Sequence, residues 1–194
     1  MIPLLLFHNS AFNLANLTGM LINGCYFGSL YALSLLLQKQ MHFSTLQTGL
    51  ALSPLAACLM AGNMLAGWVM PRCGAKKQMT AGLLMSACGY LGMLCLTPHI
   101  TLTVVMAMIL LAGGTAFVVP PMTVIVLRSA PSSMTGTASA IHATLRQIGS
   151  LVGIALAGLL FFQVQMPWRV LMPAAALIHT ALALLIWRLL PASA

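Results

Sequence analysis

A chain of 194 residues that is 61% hydrophobic, with eight Lys and Arg and no Asp or Glu, has too little polar material to cover a water-soluble globule. Without carboxylates it has no acid–base pair and no cage for a hard cation, and it shows no nucleophile elbow or phosphate loop. It is therefore read as a non-enzyme without cofactor, and its net charge of +8, scattered over the ends of apolar runs, points to membrane lipid rather than nucleic acid.

Six apolar runs follow one another near residues 12–37, 47–70, 79–97, 101–127, 136–162 and 171–189. Each is long enough for a helical span of roughly 20 residues. The connectors at 38–45, 71–78, 98–100, 128–133 and 163–170 are too short to fold alone. The expectation is an all-α, polytopic membrane domain over 1–194 with six transmembrane helices. In the first run Gly24 and Gly28 form a G-x-x-x-G pair, a spacing that lets membrane helices approach closely. The second connector carries Arg72, Gly74, Lys76 and Lys77, and the fourth run carries Gly113, Gly114, Pro120 and Pro121. Pro120 lacks the donor that an interior helical turn needs, so a kink is expected there, at a gate or as a static bend. Five cysteines, at 25, 58, 73, 88 and 95, form no metal or disulfide pattern, and no metal site is expected.

The fifth run holds the most informative residue. Arg146 lies ten residues into it, and a guanidinium at bilayer depth costs about 2.5–3.5 kcal/mol on insertion scales. With no carboxylate in the chain, Arg146 must line water or find its counter-charge on a substrate or another polypeptide. At about 100° per residue, His142, Arg146, Gly149 and Gly153 share one stripe, with Ser139 at its edge. That stripe is expected to face the bundle. His142 and Arg146 are one turn apart and would repel if both were charged, so His142 is expected to be neutral.

Charge placement sets the orientation. With the N-terminus in the cytoplasm, Arg72, Lys76, Lys77, Arg128 and Arg188 lie inside, against Lys39 and Arg169 outside. Both termini are thus expected in the cytoplasm.

The segment from Gly136 to Gly153, with Ala138-Ser139-Ala140, His142 and Arg146-Gln147-Ile148-Gly149, resembles the penultimate helix of the major facilitator superfamily, in its fourteen-helix drug:proton antiporter branch. Three other stretches are similar to that branch in the same order. Gly67-Trp68-Val69-Met70-Pro71-Arg72-Cys73-Gly74-Ala75-Lys76-Lys77 resembles its cytoplasmic loop motif. Gly113 to Thr123 resembles its G-x-G-x-x-x-P-P-x-T region, and Thr45 to Pro54 its S-x-x-Q-A-G-x-x-x-x-P stretch. There are departures. Pro71 stands where the loop motif has Asp, Ala75 where it has its first basic residue, Ala140 where Gly is usual and His142 where Asn is usual.

The resemblance implies the C-terminal six-helix half of a secondary efflux transporter in a bacterial inner membrane. In intact relatives it implies multidrug or organic-compound export coupled to protons. The implied partners are a missing N-terminal six-helix half or a second copy, and a small organic substrate. The implied cavity or interface residues are Ser139, His142, Arg146, Gly149 and Gly153. The gating set is Gly113, Gly114, Pro120 and Pro121, and the cytoplasmic loop set is Gly67, Arg72, Gly74, Lys76 and Lys77. The alternatives are a non-transporting helix-bundle interaction protein and an inactive gene remnant.

Overall fold

The computed structural model describes residues 4–95, 102–163 and 168–191. It contains six long helices: α1 (Ser10–Leu35), α2 (Thr45–Cys73), α3 (Ala75–Gly92), α4 (Leu102–Arg128), α5 (Thr135–Gln163) and α6 (Trp168–Leu189). Each is long and apolar enough to cross a bilayer. No strand occurs among the described residues.

Local chemistry sets the helix ends. Asn9 caps α1, its side-chain oxygen accepting from the Ala11 and Phe12 amides at 2.9 and 3.3 Å. Ser44 and Gln47 form a reciprocal capping box at the start of α2. α1 does not stop where the apolar run ends; it widens into a single π-type turn over Leu36–Gln40, with the Met41 amide donating to the Leu36 carbonyl five residues back at 3.2 Å. Part of the connector expected at 38–45 is therefore helical. The connector expected at 98–100 and residues 164–167 of the one expected at 163–170 lie outside the described residues, while Gln163 ends α5 and residues 168–170 already belong to α6.

The connector expected at 71–78 is corrected most. α2 runs through Pro71, Arg72 and Cys73, and α3 begins at Ala75. Only Gly74 separates them, at φ 76°, a left-handed conformation that L side chains rarely adopt. The presumed loop motif is thus a helix–helix corner. Gly67 sits within α2, exposed and with nothing near it; Arg72 lies in the last turn of α2. Lys76 and Lys77 fall in the first turn of α3, and Lys76 lies 5.3 Å over the Trp187 ring of α6.

Glycines decide which helices approach. A methyl group on Gly82 would sit 2.7 Å from the Gly114 carbonyl oxygen, which brings α3 against α4. One on Gly62 would sit 2.7 Å from the Ala116 side chain and 3.5 Å from Gly113, which brings α2 against α4. Ser86 adds hydrogen bonds to the Leu111 carbonyl (3.1 Å) and Thr115 (3.2 Å). Gly113 and Gly114 are therefore buried packing positions at the centre of the bundle. α4 continues through Pro120 and Pro121 to Arg128 without interruption.

The bundle buries its helices unequally. In the most apolar window, 61% of α4 is buried but only 17% of α2 and of α5. α4 is thus the central helix, while α2 and α5 turn most of their surface outward. One apolar core gathers around Phe12, Met79, Leu83, Met122 and Ile186, and a second around Tyr26, Leu55, Tyr90, Met108 and Met172.

Candidate functional site

α1 and α5 run parallel, and their two G-x-x-x-G pairs meet each other. A methyl group on Gly24 would lie 2.9 Å from the Gly149 carbonyl oxygen, and one on Gly28 would lie 2.7 Å from that of Gly153. No side chain larger than hydrogen fits at this backbone separation. The seam is close, the arrangement by which membrane helices associate through dispersion and weak polar contacts.

One end of the seam is polar. His142, buried on α5, places Nδ1 2.9 Å from the side-chain oxygen of Asn16, buried on α1. The Asn16 amide nitrogen donates to the Phe12 carbonyl at 2.9 Å, which leaves its oxygen to accept from Nδ1–H. Nε2 of His142 is buried and has no hydrogen-bond partner among the described residues. One turn on, the Nε of Arg146 is likewise buried and unpartnered. Both side chains crowd Gly19 of α1: a methyl group there would lie 2.9 Å from His142 Cε1, 3.1 Å from Arg146 Cγ and 3.2 Å from Met122 Sδ of α4. Gly19 therefore makes the space that this node occupies.

Further along, Asn23 is buried and donates to the Gly19 carbonyl at 2.8 Å. Ser150 donates to the Arg146 carbonyl at 3.0 Å. Arg146 lies eleven residues beyond the start of α5 at Thr135, hence about 17 Å down the helix at 1.5 Å per residue. That is close to the middle of this 29-residue helix.

The expected site residues separate into groups. His142, Arg146, Gly149 and Gly153 come together along α1, whereas Ser139 is exposed and outside the node. The gating set Gly113, Gly114, Pro120 and Pro121 belongs to α4, and the corner set is the α2–α3 junction already described. Sequence reasoning missed Asn16, Gly19 and Asn23 of α1. Their spacing of three and four residues on one helical face was the available signal.

It also missed Gln78. This buried side chain donates from Nε2 to the Ala66 carbonyl of α2 at 2.9 Å and to the Phe117 carbonyl of α4 at 3.1 Å. Phe117 stands four residues before Pro121, which has no N–H to offer it. Gln78 therefore supplies the hydrogen bond that the proline withholds.

Two openings flank α1. An apolar cleft of about 350 Å³ lies between α1, α5 and α6, lined by Gly24, Cys25, Leu156, Leu171 and Ile178. A groove of about 630 Å³ separates α1 from α2, lined by Tyr26, Phe27, Tyr31, Leu52 and Ser53, with Ile154 of α5 at its edge.

Six apolar helices, packed through glycines and carrying a cationic node at mid-depth, define a polytopic membrane helix bundle. The chain belongs to the Major Facilitator Superfamily, whose family model matches residues 15–194. It is similar to the methylenomycin A resistance protein of Bacillus subtilis (strain 168), 31% identical over 201 aligned residues, with 98% of this chain and 42% of that protein covered. The methylenomycin A resistance protein of Streptomyces coelicolor is 32% identical over 80% of this chain and 33% of its own length. Multidrug resistance protein Stp of Mycobacterium tuberculosis (strain ATCC 25618 / H37Rv) is 31% identical over 81% of this chain and 29% of its own length. The chain thus spans well under half the length of these relatives. It is a transporter-family protein and not an enzyme.

Proposed function

We propose that this chain forms the C-terminal six-helix half of a secondary exporter of small organic compounds, completed by a second six-helix bundle. The observation that carries the reading is the mid-depth node of Arg146, His142 and Asn16, with its two unpartnered nitrogens and no carboxylate in the chain to meet them. The outward surface of α2 and α5 supports a partner bundle against this face. The names of the relatives, which are antibiotic and multidrug resistance proteins, support export as the activity.

In this reading the protein lies in a bacterial cytoplasmic membrane with both termini in the cytoplasm. The excess of basic residues at one end of the bundle supports that orientation. Proton coupling draws its carboxylates from the partner bundle, since this chain has none, and the Pro120-Pro121 segment of α4 supplies a bending point.

Drug susceptibility tests the proposal. In an efflux-deficient bacterial host the 194-residue chain alone is expected to leave susceptibility unchanged. Co-expression with an N-terminal six-helix half from a related transporter is expected to lower it. Resistance conferred by the chain alone would remove the need for a different second bundle.

A further inference from the structure

We infer that the Asn16–His142–Arg146 node is a carboxylate-binding subsite, so that the compounds handled by the transporter include organic anions. This rests on the exporter reading and narrows its substrate class. Arg146 carries a positive charge deep in an apolar helix pair, and no side chain of this protein can neutralise it. Its Nε is buried and unpartnered, which leaves a donor with unmet hydrogen-bonding capacity. A charge-assisted hydrogen bond from a guanidinium to a carboxylate oxygen is roughly twice as strong as one to a neutral acceptor.

The second feature is His142 Nε2, also buried and unpartnered, one turn away on the same face. Its ring is held by Asn16 through Nδ1, so Nε2 is fixed in direction rather than free to turn toward another group. Around the ring stand Asn16 of α1, Arg146 of α5 and, across the space left by Gly19, Met122 of α4. Only Arg146 among them is charged. An incoming carboxyl group meets both needs: one oxygen accepts from Arg146, and the other shares a proton with His142 Nε2. Ligand and proton then occupy the node together, with the proton on either the ring nitrogen or the carboxyl oxygen.

A cationic or neutral drug does not supply the missing counter-charge, even where an amide could hydrogen-bond to both nitrogens. A cation would be repelled by Arg146, and a neutral amide would leave the guanidinium charge uncompensated.

Ligand-induced thermal stabilisation of the purified 194-residue protein in lipid nanodiscs tests the inference, with benzoate as probe and benzamide as its neutral isostere. Benzoate is expected to raise the unfolding midpoint saturably and benzamide is not. Arg146→Gln is expected to weaken the benzoate response about tenfold or more, the loss of one charge-assisted pair, and Arg146→Lys to recover it only in part. The Gln variant keeps a polar atom at the position of Nε without the buried charge, and its unliganded melt checks that it folds. Equal responses to benzoate and benzamide, no response to either, or an undiminished response in Arg146→Gln would each overturn the inference. Export of neutral compounds by a complete transporter indifferent to benzoate would leave the exporter reading standing and sink only the ligand class.

Discussion

At Gly149 the missing side chain decides how near α5 comes to α1. A methyl group there would run into the Met20 carbonyl, a backbone atom that cannot swing aside. Gly149→Ala is therefore expected to destabilise the protein by about 1–3 kcal/mol, the usual cost of forcing an extra group into a packed seam. Gly67 is the contrast: it is helical, exposed and has nothing within 4 Å. Gly67→Ala is expected to stabilise by about 0.5–1 kcal/mol, through the backbone entropy that glycine loses on folding. Unfolding of both variants in mixed micelles checks the pair, and equal effects would remove the close α1–α5 approach as the cause. Arg146 belongs to the same scale. In a complete transporter, Arg146→Ala is expected to insert at least as well as the parent, because the charge is gone, yet to lose export. Membrane fractionation together with a susceptibility assay separates those outcomes, and wild-type export would reduce Arg146 to a residue outside the mechanism.

Between elements, Gln78 is the side chain that joins α2, α3 and α4. Gln78→Leu removes both donors and is expected to cost about 1–3 kcal/mol, because buried carbonyls lose their partners. Pro121→Ala returns an N–H four residues after Phe117, so in that background the Gln78→Leu loss is expected to shrink by roughly 1 kcal/mol. A double-mutant cycle on thermal stability measures that coupling, and strict additivity would dismiss it. Elements of this kind also mark the limit of what the sequence made legible. The six spans were legible because a bilayer demands long apolar runs, and the glycine pairs because small residues at four-residue spacing mark close approach. The α2–α3 corner was not. Pro71, Arg72 and Gly74 look like loop material, but a helix accommodates Pro71 near its end and a single left-handed glycine makes the turn. The same holds for Pro54, where the Ser53 hydroxyl donates to the Leu50 carbonyl at 2.8 Å, the carbonyl that the proline leaves open. The partner of His142 was out of reach for another reason. Asn16 is 126 positions away, and nothing local announces a pairing made only when α1 and α5 lie parallel.

For the whole molecule the decisive question is which end of the bundle faces the cytoplasm. Six successive spans put Arg72, Lys76, Lys77, Arg128 and Arg188 at one end and Lys39 and Arg169 at the other. Basic residues near short loops are retained on the cytoplasmic side, so the five-residue end should face inward. Two native cysteines report on this directly. Cys73 is exposed at the α2–α3 corner, and Cys95 is exposed at the far end of α3. With a maleimide that does not cross membranes, Cys95 is expected to react in intact cells and Cys73 only after permeabilisation. Replacing the other four cysteines by alanine in each case makes the signal specific. Labelling of Cys73 from outside with Cys95 protected would invert the molecule. The end of α5 at which Arg146 lies about 17 Å deep would then open to the exterior, and an exporter would have to load its cargo from the opposite side of the node.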